Sequence, residues 1–196
     1  MIRLTLAAAA ATFASAMTLA LPAAAQDACA VEGDRWDLDD AGVAALYDCM
    51  EGQMLDAYTK EGDAIAGAYR DWTITATRAA VAGPHQERFL LTFVNDVATE
   101  QYLKFEDGDF EMPVGSILVK ESIGVRDGTA RVGPLFIMEK VDTAEAAEYG
   151  NWFYSGIQPN GKPLKISQKF CHDCHGGYEG QDSMGYPLEE VRVSVN

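Results

Sequence analysis

The sequence predicts an α+β protein that consists of a mostly antiparallel β-sheet with flanking helices. Two patterns support this fold class. Between residues 39 and 69, apolar residues recur at three- and four-residue steps, which is typical of a helix with one buried face. After residue 72 the chain changes to short β-rich runs separated by glycine-containing turns. Such runs indicate hairpins, in which neighbouring strands are antiparallel.

The helical region extends from Asp39 to about Tyr69. Asp39 and Asp40 suit its first turn, because carboxylates cap free backbone N–H groups and are favoured at the positive end of the helix dipole. Gly62 is expected to divide the region into two helices. The predicted apolar face consists of Val43, Leu46, Tyr47, Met50, Leu55 and Tyr58.

Five strand-like runs follow, and a short helix at residues 96–103 interrupts them. The runs cover residues 72–77, 89–94, 116–123, 131–141 and 151–157. We find no internal repeat, no interdomain linker and no low-complexity segment after residue 25. We therefore expect one domain over residues 26–196, with a helical part at 26–71 and a β-rich part at 72–196.

Residues 1–25 are predicted to be a cleaved signal peptide. Arg3 provides a positive start, Leu4–Leu21 is uncharged and rich in alanine and leucine, and Ala23–Ala25 offer an A-x-A cleavage site. A membrane anchor is the alternative, since the apolar run is about long enough to span a bilayer. Small residues dominate the run, however, and Pro22 ends it. We expect export to the periplasm and no membrane span after cleavage.

The segment Cys171-His172-Asp173-Cys174-His175 has the C-x-x-C-H pattern of a c-type haem attachment site. In such a site both thiols bond to the haem and the adjacent histidine binds the iron. A thioredoxin-like pair is disfavoured, because a Gly-Gly pair follows the motif at once. A zinc site needs a second ligand pair. The pattern therefore favours one covalent haem c, held by Cys171 and Cys174 with His175 on the iron.

Two cysteines remain outside the motif, Cys29 and Cys49. An oxidising compartment favours a disulfide between them, and two free thiols are the alternative. The bridge would tether the mature N-terminus to the first helix and stabilise the fold by about 2–4 kcal/mol.

The chain is strongly acidic, with a formal net charge of −15. Removal of Arg3, the only charged residue in the first 25, takes this value from −15 to −16. Nucleic acid and a polybasic contact with membranes are therefore excluded as partners. An acidic surface keeps an exported protein soluble, and it can also steer a basic redox partner.

From about residue 72 onward the chain resembles the cytochrome P-460 family, which includes the cytochromes c-prime-beta. The resembling segments are 83–88 (GPHQER), 93–95 (FVN), 112–121 (MPVGSILVKE), 133–138 (GPLFIM), 151–154 (NWFY) and 171–182. The resemblance implies a mostly antiparallel β fold with flanking helices and one c-type haem. It also implies five-coordinate iron, with His175 proximal and the distal side open to small nitrogen species. The region before Trp72 matches nothing in that family.

The resemblance implies roles for two further residues. Lys120 matches the lysine that is bonded to the haem rim in members that oxidise hydroxylamine; otherwise it is a strand residue that pairs with Glu121 or another neighbour. Arg88 resembles a distal-pocket arginine, with a surface charge beside Glu87 as the alternative. His85 and Met184 are alternative sixth ligands of the iron, although a turn histidine is typically solvated.

The chain departs from the family after Asp182, where Ser183-Met184-Gly185 replaces aromatic or large apolar residues. An aromatic cap over the distal side would then come from Phe89, Phe93 or Phe136, among which the sequence does not choose.

Three functions stay open. An open ferrous site would bind NO or CO without turnover, and this is the function that we favour. Hydroxylamine oxidation needs the Lys120 bond and a proton acceptor, for which Glu100, Glu106 and Glu121 are eligible. Electron transfer needs a strong sixth ligand. Besides these small molecules, the partners that remain open are a redox protein and a second copy of the chain.

Overall fold

The computed structural model describes residues 29–194, so the predicted signal peptide lies outside the described residues. The helices are α1 (Asp40–Tyr58), α2 (Ala64–Ala68), α3 (Asp96–Tyr102) and α4 (Gln168–His175). The strands are β1 (Thr73–Ile74), β2 (Ala80–Ala82), β3 (Arg88–Val94), β4 (Ile117–Arg126), β5 (Thr129–Val132), β6 (Leu135–Lys140) and β7 (Trp152–Ile157). Over residues 29–194, no helix has the length and apolar character needed to cross a bilayer.

The strands form one antiparallel sheet, which confirms the predicted fold class. Its main order is β1-β3-β4-β6-β7, with β2 paired to β3 and β5 paired to β4. Thr92, Lys120 and Phe136 lie side by side on the three central strands. Because side chains alternate between the faces of a sheet, these residues share one face. The adjacent positions along the strands, such as Val119 and Ile137, belong to the core on the other face.

Helix α1 packs on that second face. Asp39 Oδ1 accepts a hydrogen bond from Gly42 N at 2.8 Å, which caps the first turn as predicted. The predicted helical region is divided as expected, since Gly62 takes a left-handed φ of +74° between α1 and α2. Leu55, which we placed on the apolar face, is instead 41% exposed. Met54 is buried in its place, because the contact face turns with the 3.6-residue period.

A buried polar cluster attaches the helical part to the sheet. Glu121 on β4 accepts hydrogen bonds from the hydroxyls of Tyr47 and Tyr69 and from Arg70. Burial and the charge of Glu121 raise the pKa of both tyrosines well above its usual range. Glu121 is 1% exposed, so a salt bridge with Arg70 compensates its buried charge.

The predicted disulfide joins Cys29 to Cys49, with their Cα atoms 5.9 Å apart. It connects α1 to the first described residues, where Ala30 pairs with Thr129 on β5. The prediction that this bridge tethers the N-terminal segment to the first helix is confirmed.

The run predicted as one strand at 131–141 is two strands, β5 and β6, which are separated by Gly133 and Pro134. A Cβ atom at Gly133 would lie 2.3 Å from Ser122 Oγ, so the chain passes too close to β4 for any other residue. Strand β2 and helix α4 were not predicted, and β1 is shorter than its predicted run.

Candidate functional site

A cavity of about 440 Å³ lies on the sheet face opposite α1. This volume is in the range of small-molecule and cofactor sites. The sheet supplies one wall, through Leu90, Thr92, Lys120 and Phe136. The turn after β2, helix α4 and the segment at 185–191 supply the others, with His85, Cys171, Cys174, His175 and Tyr186 among their lining residues.

Helix α4 carries the C-x-x-C-H motif along the cavity. Ser167 begins the helix, since its Oγ accepts a hydrogen bond from Phe170 N at 3.2 Å. The side-chain amide of Gln168 then exchanges two hydrogen bonds of 2.7 Å with the backbone of Tyr154 on the edge strand β7. This clamp fixes the helix against the sheet, so that Cys171 and Cys174 both line the cavity.

The position of the thiols does not suit redox chemistry of the thioredoxin type. Reactive cysteines with a low pKa lie near helix N-termini. Cys174 is in the last turn of α4 instead, and burial together with the nearby Cys174 raises the pKa of Cys171. A zinc site is not found within residues 29–194 either, because no three or more His, Cys, Asp or Glu side chains lie close enough together to bind a metal ion.

His175 is oriented as a metal ligand needs to be. Its Nδ1 lies 2.7 Å from the carbonyl oxygen of Ser183. Because a carbonyl can only accept, Nδ1 carries the proton and the lone pair is left on Nε2. Burial first, and then the charge of Lys120, lower the pKa of His175 to about 4, so the ring is neutral at physiological pH.

The segment 182–185 holds this histidine in place. Lys140 Nζ donates to both carboxylate oxygens of Asp182 at 2.9 and 2.8 Å, and the pair is buried. Met112 N also donates to Asp182, at 2.7 Å, and Trp152 Nε1 donates to its carbonyl oxygen at 2.6 Å. These contacts fix the chain at Asp182, one residue before the carbonyl that orients His175.

The same segment binds the amine of Lys120. Lys120 Nζ donates to the carbonyl oxygens of Gly185 at 3.0 Å and of Met184 at 3.4 Å. Burial lowers the pKa of Lys120 to about 8. The alternative that Lys120 pairs with Glu121 is wrong, because Glu121 lies on the opposite face of β4 within the α1 cluster.

His85 lies in the cavity rather than in solvent. It is half-buried at the end of a short 3-10 turn, Gly83–His85. Its ring centre is 4.6 Å from that of Phe136 and 6.2 Å from that of His175. Burial, followed by the charges of Lys120 and His175, lowers its pKa to about 3. Its position in a turn predicts a solvated histidine, and only the tertiary structure shows that His85 lines the cavity.

Arg88 stands next to the cavity but does not line it. Its Nη1 donates to the carbonyl oxygen of His85 at 3.1 Å, so Arg88 supports the turn that carries His85. Met184 is fully buried in a core with Trp152 and does not face the cavity either. Of the aromatic residues considered as a cap, Phe136 lines the cavity, whereas Phe89 and Phe93 belong to the core beneath α1.

No carboxylate lines the cavity within residues 29–194. Glu100 and Glu106 are exposed elsewhere, and Glu121 is on the other face of the sheet. The structure therefore brings together Cys171, Cys174, His175, Lys120 and His85, but none of the acidic residues that the sequence made eligible.

The rim of the cavity is unusually apolar and exposed. Phe170 is 70% exposed, Trp36 54% and Leu188 48%, and all three line the cavity. Exposed apolar side chains that cluster in this way mark a binding site. A large flat apolar group with one edge at the surface, such as haem, would cover them. The cavity therefore fits the cofactor that the motif predicts.

Comparison with known proteins agrees with the site. Residues 66–184 match the model of the family described as Cytochrome P460. The match includes Lys120 and the whole C-x-x-C-H motif, and it ends just before Gly185. It leaves out helix α1, for which the sequence also showed no resemblance. Among curated proteins, none matches the chain.

Proposed function

The chain belongs to the cytochrome P460 family, and from this premise we propose that it is an exported c-type haem protein that binds small nitrogen oxides such as NO. The family implies the haem. The proposal adds covalent attachment within residues 26–196, removal of the signal peptide at 1–25, and the nature of the ligand.

Three residues of the motif would hold the cofactor. Cys171 and Cys174 both reach the cavity from α4, as thioether bonds to one edge of a haem require. The Nε2 lone pair of His175, left free by the bond from Nδ1 to Ser183, would bind the iron. The bound haem supplies an iron coordination position that takes NO or CO.

The absence of a carboxylate from the cavity walls at residues 29–194 is the observation that favours binding over turnover. Oxidation of hydroxylamine removes protons as well as electrons, so it requires a proton acceptor near the substrate. With no carboxylate on these walls, that role would fall to His85 or to Lys120, and two backbone carbonyls already bind the amine of Lys120. Capture of NO requires none. The apolar walls, Leu90 and Phe136 among them, suit a small neutral ligand.

Lys120 supports hydroxylamine oxidation as a second candidate function. Its amine reaches the cavity, where a bond to the haem rim would be formed, and its lowered pKa leaves part of the amine neutral and nucleophilic near pH 8. However, two backbone carbonyls already bind this amine. This arrangement suits a structural role for Lys120 as well.

An absorption titration separates the two functions. The reduced protein is titrated with NO and, in a separate experiment, incubated with hydroxylamine and an electron acceptor. We expect one NO per haem and no hydroxylamine oxidation, and we expect Lys120→Leu to leave the ferrous spectrum unchanged. The exposed Lys162→Leu is the matched control. The proposal is wrong if the wild-type spectrum is strongly red-shifted, if Lys120→Leu reverts it, and if hydroxylamine is oxidised.

A further inference from the structure

We propose that His85 is a second axial ligand, which closes the distal side of the haem until a ligand such as NO displaces it. The identity of the displacing ligand rests on the proposed function, whereas the role of His85 rests on geometry. The proposal differs from the permanently open distal side that the family resemblance implied.

The distance between the two histidine rings supports the proposal. An imidazole nitrogen lies about 2.0–2.1 Å from a bound metal. Because that nitrogen stands roughly 1 Å from the ring centre, two imidazoles on opposite sides of one metal have ring centres about 6 Å apart. The ring centres of His85 and His175 are separated by 6.2 Å, and both residues line the cavity.

The other candidate ligands are already engaged elsewhere. The chain has three histidines, and the third, His172, packs against Tyr149 outside the cavity. Met184 is fully buried in the second core cluster. Lys120 donates to two carbonyls. Within residues 29–194, the side-chain contact of His85 is aromatic, with Phe136, so its ring nitrogens are available to a metal.

The turn that carries His85 contains strained backbone. Gly83 and Pro84 are exposed, and Gln86 and Glu87 both take left-handed φ values, +61° and +53°. Left-handed non-glycine residues are strained and cluster at binding sites and switches. In the proposal His85 leaves the metal by a shift of this turn, which lies between the paired ends of β2 and β3.

Two arginines hold the turn in the closed position. Arg88 donates to the carbonyl oxygen of His85 at 3.1 Å, and Arg35 donates to that of Glu87 at 2.9 Å. Both are hydrogen bonds from charged groups, and both remain available to re-form when the ligand leaves. His85 would thus act as an internal competitor, which lowers the apparent affinity for NO by the fraction of protein that is open.

Electron paramagnetic resonance of the ferric protein near neutral pH tests the ligation directly. We expect low-spin iron with two histidine ligands in the wild type. His85→Phe keeps an aromatic ring against Phe136 but removes the nitrogens, so it should give high-spin iron. In His85→Ala, added imidazole should restore the low-spin signal. His172→Phe is the matched control and should leave the wild-type signal unchanged.

The kinetics of NO binding to the reduced protein test displacement. In the wild type the observed rate should level off at high NO, because departure of His85 becomes limiting. In His85→Phe it should rise linearly, with an apparent affinity at least about tenfold tighter if less than about a tenth of the wild type is open.

The outcomes separate this inference from the proposed function. High-spin wild-type iron with linear NO kinetics overturns the role of His85 and leaves NO binding intact. A His–Met signal in the wild type also overturns it. Low-spin iron that becomes high-spin in His85→Phe, with no NO binding in either protein, supports the ligation and rejects the proposed function.

Discussion

Replacement of Asp182 by asparagine should weaken both the fold and the hold on His175, the proposed iron ligand. Asp182 and Lys140 form an ion pair whose side chains are 9% and 2% exposed. Asparagine keeps the size and tolerates the left-handed φ of +45° at this position, so the backbone can stay as it is. What is lost is the negative charge that compensates buried Lys140, together with one of the acceptors used by Lys140 and Met112.

The expected magnitude follows from the burial of the pair. Removing one partner of a buried ion pair costs about 3–5 kcal/mol, because the remaining charge is left uncompensated. With a slope of about 2–3 kcal/mol per molar urea, the unfolding midpoint should fall by about 1–2.5 M. The measurement is urea unfolding of the haem-loaded protein, followed by far-ultraviolet circular dichroism.

Asp127→Asn is the matched control for this experiment. Asp127 also has a left-handed φ, +51°, but its contact with Arg126 is 4.0 Å long and its side chain is 91% exposed. An exposed pair contributes about 0–1 kcal/mol, so the midpoint should move little. Equal effects of the two variants would refute the argument from burial.

A second measurement distinguishes positioning of His175 from general stability. If the segment at 182–185 loosens, the hydrogen bond from His175 Nδ1 to Ser183 weakens and the imidazole becomes a poorer electron donor. The reduction potential of Asp182→Asn should then be higher than that of the wild type, whereas that of Asp127→Asn should not change. An unaltered potential in a destabilised Asp182→Asn protein would confine Asp182 to a structural role.

Three further outcomes follow from the same contacts. Replacing Cys29 and Cys49 by serine opens a loop of 20 residues and should cost about 3 kcal/mol in urea unfolding; a reduced wild type that is as stable as the oxidised one would contradict this. Glu121→Gln should lower the free energy of unfolding by about 1.5–3 kcal/mol, because an NH2 group replaces one of the carboxylate oxygens that accept hydrogen bonds from Arg70 and from a tyrosine hydroxyl. The haem spectrum should stay unchanged. Arg88→Gln should raise the high-spin share of ferric iron severalfold by releasing the turn, whereas the exposed Arg126→Gln should not; identical spectra for the two would exclude support by Arg88.

The sequence predicted the sheet well where the hydrophobic pattern alone decides the structure. Strands β3, β4 and β7 lie within a few residues of their predicted runs. Each pairs with a neighbour along most of its length, and its side chains are either buried on both faces of the sheet or alternate between buried and more exposed. Helix α4 was missed because none of its residues is buried, so no apolar period marks it. Its helical form depends on the cap by Ser167 and on the clamp from Gln168, which no periodicity shows.

The site was predictable only in part, for a related reason. The motif identifies Cys171, Cys174 and His175 from spacing alone. Lys120 faces the cavity because the other face of β4 packs against the helical part. Alternation along one strand shows which residues share a face, but not which of the two faces the helices cover. The placement of His85 depends on the distance between a turn after β2 and a helix more than eighty residues later along the chain. Distances of this kind are set by the whole sheet.

The segment at 183–185 shows which positions this site depends on. His175 and Lys120 bind carbonyl oxygens of this segment, and any side chain leaves those carbonyls in place. The path of the backbone is what must be kept. A Cβ at Gly185, where φ is +64°, would lie 3.1 Å from the ring of Tyr178. Ser183 has the same φ but already carries a Cβ, so substitution should be tolerated at Ser183 better than at Gly185.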